Sequence, residues 1–196
     1  MNLSTMQLPS LFKSGIFIAL FIITIATQAQ ENSQAHSGPV KWLTIQEAEK
    51  RSLTEKRLIF IDVYTDWCGW CKVMDKNTFA DPEVARILNE KFYPVKFNAE
   101  QREDVTFQGN TFKFAAYGNG GTHELASALL QNRLSYPTVV FLDEDFKMIQ
   151  PLPGYQKAPE FHRIIQFLGD GHFRKMKWAE WQNVYKSPYG ASGSGR

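Results

Sequence analysis

Cysteine is nearly missing from this chain of 196 residues: there are two, Cys68 and Cys71, and both lie in one Cys-x-x-Cys. So few cysteines exclude a disulfide-stapled scaffold, which needs several bridges to stand in for a core. They also argue against structural zinc, which takes about four ligands, usually as two Cys or His pairs at short spacing. His36, His123, His162 and His172 each stand alone. An excess of charge is missing too: 22 Lys and Arg face 20 Asp and Glu, with no basic cluster. No nucleic-acid surface is expected from that balance. The Gly-rich stretch Gly118-Asn119-Gly120-Gly121 lacks the lysine and the strand-before, helix-after setting of a phosphate loop, so no nucleotide site is read there. No internal repeat and no second domain are visible.

The longest apolar run, Gly15 to Ala26, falls short of the roughly 18–20 residues a membrane-spanning helix requires. Lys13 precedes it, and Thr27-Gln28-Ala29 supplies small residues behind it. This is the pattern of a secretory signal peptide cut near Ala29. The chain is therefore expected in the periplasm or outside the cell, where a disulfide is chemically permitted. Residues 30–39 are polar and expected to form a disordered leader.

Around the cysteines the chain reads Asp62-Val-Tyr-Thr-Asp-Trp67-Cys68-Gly69-Trp70-Cys71-Lys72. Arg57 to Tyr64 is a short apolar run rich in β-formers, expected as a buried strand. Lys72 to Phe79 has helix-tolerant composition without Gly or Pro. The pair thus falls where a strand hands over to a helix. Free N–H groups and the positive dipole end stabilise an anion at a helix N-terminus, which lowers a thiol pKa and favours nucleophilic chemistry. The bland alternative is an inert structural disulfide, but so short a loop contributes little stability.

Trp67-Cys68-Gly69-Trp70-Cys71-Lys72 resembles the active-site motif of the thioredoxin superfamily, with Trp70 in place of the usual proline. Asp62 resembles the family's buried aspartate, Lys96 the lysine that faces it, and Tyr136-Pro137-Thr138 the cis-proline motif. The resemblance spans roughly Val40 to Gly169. It implies an α/β, thioredoxin-like three-layer fold: a central mixed β-sheet flanked by helices, within a domain over 40–186. It also implies a cis Pro137.

Other elements follow from local signals. Val40 to Trp42 is expected as a short edge strand. Thr44 and Glu47 form a capping box for a helix through about Glu55 whose apolar face is Ile45, Ala48 and Leu53. Asp81 caps a helix with Pro82 in its first turn and Val84, Ile87, Leu88 and Phe92 inward. Tyr93 to Asn98 is a strand with Lys96 opposite Val95 and Phe97. Residues 101–122 read as an insertion: a hairpin over Val105–Phe114 turning at Gly109-Asn110, then a Gly-rich loop over Ala115–Thr122. Thr122 caps a helix over His123–Asn132, with His123 at the surface. Thr138 to Leu142 and Lys147 to Leu152 are strands. Pro159 starts a helix that stops at Gly169, with Phe161, Ile164, Ile165 and Leu168 inward. Asp170 to Lys186 adds one aromatic C-terminal helix, and 187–196 form a flexible tail.

The resemblance implies thiol–disulfide exchange. Cys68 acts as the exposed nucleophile and the more buried Cys71 resolves the mixed disulfide. Asp62 serves as base, moderated by Lys96. Trp67, Gly69, Trp70, Tyr136 and Pro137 contact the substrate chain. No cofactor or metal is expected beyond the redox-active Cys68–Cys71 disulfide. The expected partners are a protein carrying a disulfide or thiols and a membrane electron donor. Two alternatives remain: a thiolate site for copper(I), or a client-binding module in which redox is secondary.

Overall fold

The computed structural model describes residues 39–190. The expected signal segment, the leader through residue 38 and the tail beyond residue 190 lie outside the described residues. The chain runs through α1 (Ile45–Ser52), β1 (Leu58–Tyr64), α2 (Gly69–Met74) and a π-helical turn (Asp75–Phe79). Next come α3 (Pro82–Lys91), β2 (Phe92–Asn98), β3 (Val105–Phe107), β4 (Asn110–Phe112), β5 (Phe114–Tyr117) and β6 (Gly120–His123). It closes with α4 (Glu124–Leu129), β7 (Thr138–Leu142), β8 (Met148–Pro153), α5 (Ala158–Gly169), a 3-10 turn (His172–Arg174) and α6 (Trp178–Val184).

Four strands form a mixed sheet in the order β2-β1-β7-β8. β1 runs parallel to β2 and antiparallel to β7, and β7 is antiparallel to β8. This is the thioredoxin-like α/β fold. β1 and β7 are buried on both faces, which explains why they read as continuous apolar runs rather than as alternating ones. One face packs against α1 and α4 through Ile59, Ile61, Val63, Val95 and Phe97. The other packs against α2, α3 and α5 through Phe60, Met74, Phe92, Phe141 and Phe161.

Caps fix the helix starts. The Thr44 hydroxyl accepts from Glu47 N at 3.2 Å and the Glu47 carboxylate accepts from Thr44 N at 2.8 Å, so the capping box forms. Asp81 Oδ1 accepts from Glu83 N and Val84 N at 3.0 and 3.1 Å, and Pro82 follows as expected. Leu53 is a correction: it ends α1 pointing outward, 80% exposed, and the helix stops at Ser52. The expected strand at Val40–Trp42 shrinks to one parallel bridge between Leu43 and Val95.

The insertion holds two hairpins. The first turns at Gln108-Gly109, not Gly109-Asn110; both residues have positive φ, as a type I′ turn requires. The stretch expected as a Gly-rich loop is the second hairpin, β5–β6, turning at Gly118-Asn119 with Gly118 at φ +56°. A Cβ at Gly121 would collide with the Phe114 ring, which lies across that strand. Glycine there is demanded by that ring and by the Ala115 carbonyl oxygen, 2.6 Å from such a Cβ, not by a loop. His123 is fully buried rather than at the surface, and it replaces Thr122 as the cap of α4: its Nδ1 accepts from Leu125 N at 3.2 Å. Its other ring nitrogen lies 3.1 Å from the Glu103 carbonyl oxygen. The aromatic C-terminal segment is broken into a 3-10 turn and α6, with Trp181 stacked 4.3 Å from His172. The start of the tail is ordered, since the Tyr189 hydroxyl donates to Asp81 Oδ1 at 2.6 Å.

Candidate active site

Tyr64 ends β1, and the turn Thr65–Trp67 delivers Cys68 as the N-cap of α2. Cys68 N donates to the Thr65 carbonyl at 3.1 Å, closing the turn. Cys68 and Cys71 are joined as a disulfide, S–S 2.04 Å, with their Cα atoms 5.3 Å apart. The backbone N–H of Cys71 points at Cys68 Sγ, 3.1 Å away. After reduction the same donor faces whatever negative charge forms on that sulfur. The expected contrast in burial is absent: Cys68 is 4% exposed and Cys71 3%. What stands out from the surface is their neighbours, with Trp67 67% and Trp70 62% exposed.

The Tyr136–Pro137 peptide bond is cis, as the resemblance implied. The Pro137 carbonyl accepts from Gly154 N at 2.8 Å, which ties the loop to the end of β8. Tyr136 meets Trp67 edge to face, ring centroids 5.9 Å apart. On the other side of the disulfide Trp70 lies against Tyr155, 5.5 Å between centroids. Two aromatic pairs therefore flank the cysteines. Gly69, between Cys68 and Trp70, leaves open space where a side chain would stand.

Beneath them, Asp62 and Lys96 are direct cross-strand partners in the parallel β1–β2 register. Lys96 Nζ lies 2.8 Å from Asp62 Oδ2, and no hydrogen-bond donor reaches Asp62 Oδ1 among the described residues. Burial pushes the Asp62 carboxyl up to about 6, against the opposing pull of Lys96. Burial alone would lower the Lys96 pKa, but the carboxylates of Asp62 and Asp75 outweigh it and raise it. Asp75 was not singled out from sequence. It pairs with Lys96 from the first position of the π-helical turn. Had α2 continued regularly, the i+4 spacing from Cys71 would have been the only signal for it. The π turn re-aims the side chain, and composition does not announce that. The ammonium also sits 4.9 Å from the Trp42 ring centre, 5.1 Å from Tyr64 and 5.6 Å from Phe79. Aromatic faces there replace part of its water shell.

All the sequence-derived site residues, Asp62, Trp67, Cys68, Gly69, Trp70, Cys71, Lys96, Tyr136 and Pro137, lie at one end of the sheet around the disulfide. Asp75, Glu100 and Tyr155 join them. Glu100 Oε1 accepts from Trp67 Nε1 at 3.0 Å.

The chain is 31% identical over 122 residues to an uncharacterized protein of Caenorhabditis elegans, covering 62% of this chain and 14% of that one. It is 40% identical over 123 residues to the thiol:disulfide interchange protein DsbD of Citrobacter koseri, covering 60% of this chain and 17% of that one. The chain thus spans a small part of these relatives' length. Among solved structures it is similar to a thioredoxin-fold protein from Helicobacter pylori, at 21% identity and TM-score 0.49, covering 66% of this chain and 79% of that one. Residues 26–151 match the model of the family Thioredox_DsbH, described as a protein of unknown function, DUF255, and with its thioredoxin-like fold and Cys-x-x-Cys disulfide the chain belongs to that family.

Proposed function

We propose that the protein is an exported thiol:disulfide oxidoreductase that reduces or exchanges disulfides of other proteins through Cys68 and Cys71. The observation that carries this reading is the Cys68–Cys71 disulfide at the start of α2, with the Cys71 N–H on Cys68 Sγ and the buried Asp62 carboxyl, paired with the Lys96 ammonium, beneath. Similarity to a protein named for thiol:disulfide interchange supports it. Export rests on the signal-like segment 1–29, and the periplasm is the compartment it suggests.

In the reduced protein the Cys68 thiolate attacks one sulfur of a substrate disulfide. The substrate S–S bond breaks, a mixed disulfide forms on Cys68, and the first substrate thiolate leaves. The Cys71 thiol gives its proton to Asp62, whose raised pKa suits it to take a proton near neutrality. The Cys71 thiolate then attacks Cys68 Sγ. The Cys68–Cys71 disulfide is restored and the second substrate thiolate departs. Two electrons pass to the substrate, and a dithiol donor, proposed to sit in the membrane, must return them. Holding Cys71 three residues away makes the second step intramolecular.

Equilibration with glutathione buffers tests the direction of flow. A potential near the −270 mV typical of thioredoxin supports a reductase, and one about 100 mV higher makes the protein an oxidant or isomerase instead. Cys68→Ser should lower disulfide reduction by on the order of a thousandfold, whereas Cys71→Ser should accumulate the mixed disulfide. A Cys68→Ser protein that still reduces insulin would end the proposal.

A further inference from the structure

The Trp67 side of the disulfide carries negative charge. On the Trp67 side, the exposed indole leans on Tyr136 and donates its N–H to Glu100 Oε1. Asn98, the last residue of β2, holds two acidic residues in this corner. Its Nδ2 donates to Asp66 Oδ2 at 3.2 Å, and its Oδ1 accepts from Glu100 N at 2.9 Å. Both carboxylates are exposed, and neither is ion-paired with a Lys or Arg among the described residues. Their partners are a neutral amide and an indole, so the charge is left in place. The Tyr136 phenol is pushed up by burial, against a hydrogen bond with Thr122, and the Glu100 charge adds to the push.

The insertion fixes this corner. Ala99, between Asn98 and Glu100, donates to the Tyr64 carbonyl at 2.8 Å. Its own carbonyl accepts from His123 N at 2.7 Å and from Thr122 Oγ1 at 3.1 Å. Hairpin β5–β6 thereby clamps the segment that carries Glu100 to the strand that carries the active-site turn.

An exposed indole held edge to face against Tyr136, with an unneutralised carboxylate at its rim, matches one side-chain chemistry. It offers a cation ring quadrupoles and a counter-charge together, and it offers an anion neither. We infer that Trp67, Tyr136 and Glu100, with Asp66 behind them, form a specificity subsite for a Lys or Arg side chain next to the reacting cysteine of the substrate polypeptide. This rests on the oxidoreductase reading and names the substrate class for it. Glu100 acts as a specificity residue here and takes no part in the chemistry.

The test is single turnover of the reduced protein, followed by its tryptophan fluorescence. The substrates are two disulfide-linked peptide dimers that differ only in carrying Lys or Glu on both sides of the cysteine. Each rate is divided by the rate at which dithiothreitol reduces the same peptide, which removes the peptides' own difference in reactivity. The Lys peptide should react at least about fivefold faster at low salt, and the preference should shrink toward unity near 0.5 M salt, where charges are screened within a few ångströms. Glu100→Gln keeps an acceptor for the indole N–H but loses the charge; it should cut the preference by about half or more, and Glu100→Lys should invert it. A purely structural role for Glu100 would survive the Gln change. A normalised preference near unity at low salt, or one that Glu100→Gln leaves intact, overturns the inference while the redox reading stands. Failure of the reduced protein to react even with 2-hydroxyethyl disulfide overturns the redox reading, and this inference with it.

Discussion

Along β1, Ile59, Ile61 and Val63 turn toward α1 and α4, while Leu58 and Phe60 turn toward α2, α3 and α5. Asp62 continues the second row and faces that side. The first face is filled mostly by aliphatic side chains and holds the sheet to its helices. The second is crowded with rings: Phe60 lies within 5.6 to 6.0 Å of Trp42, Phe79, Phe141 and Phe161. Toward the disulfide this row of rings gives way to Asp62, Lys96 and Asp75. Aliphatic side chains can only exclude water from such charges, whereas rings present a negative face to a cation. Trp42 and Phe79 do both, since they pack on Phe60 and also face the Lys96 ammonium. The aromatic face is thus built around a buried charge as much as around a core.

The largest test of that view is Phe60→Ala. Removing a ring at the centre of the cluster should cost about 3–5 kcal/mol, read from the urea midpoint of the oxidised protein. Ile61→Val on the opposite face should cost only about 1 kcal/mol. Comparable losses for the two changes would mean that the aromatic face carries no special share of the stability.

Lys96→Met comes next. It leaves Asp62 and Asp75 without the cation between them and should cost about 2–3 kcal/mol at pH 7, less than a fully buried pair because Lys96 is partly exposed. Without the cation the Asp62 carboxylate is still harder to ionise, so the penalty belongs to the charged form. The loss should therefore be smaller at pH 5, where Asp62 is largely protonated. Equal losses at both pH values would make Lys96 a packing residue and nothing more.

How much of this was legible in the sequence varies with the range of the signal. Local signals carried well. The Thr44–Glu47 box, the Asp81-Pro82 start and the β1 run are each set by neighbours in the chain, and the structure follows them. The Asp62–Lys96 pairing is long-range and was reached only through family resemblance, since periodicity puts Lys96 on a face without saying what lies there. Three misses share one cause. The Gly120-Gly121 strand depends on the Phe114 ring lying over it. The buried His123 depends on Leu125 N and the Glu103 carbonyl converging on its two nitrogens. Asp75 depends on Lys96 reaching it from β2. In each, a tertiary contact overrode a composition that reads as loop, surface or regular helix.

The smallest change, Asp62→Asn, is the most informative because its sign is opposite. In the folded protein Asp62 titrates near 6, above its ordinary value of 3.8. The folded state therefore holds this proton more tightly than the unfolded chain does. Stability from the protonated carboxyl is fully present below about pH 4 and is lost as pH rises through 6, a loss of roughly 3 kcal/mol. Asparagine has no charge to bury, so the variant should be flat over that window. At pH 7 it should be more stable than the parent by roughly 1–2 kcal/mol, less than the full loss because the buried amide needs hydrogen-bond partners of its own. The same substitution should slow release of the mixed disulfide, since Cys71 then lacks the group proposed to take its proton. Urea unfolding of the oxidised protein from pH 4 to 8, beside single-turnover resolution of the mixed disulfide, reads both effects. A variant that gained stability yet resolved at the parent's rate would mean that the buried charge is tolerated for some purpose other than proton transfer. A variant less stable at pH 7 would mean that the ion pair with Lys96 outweighs its own desolvation, and the contrast between the two faces of the sheet would then be one of side-chain shape alone.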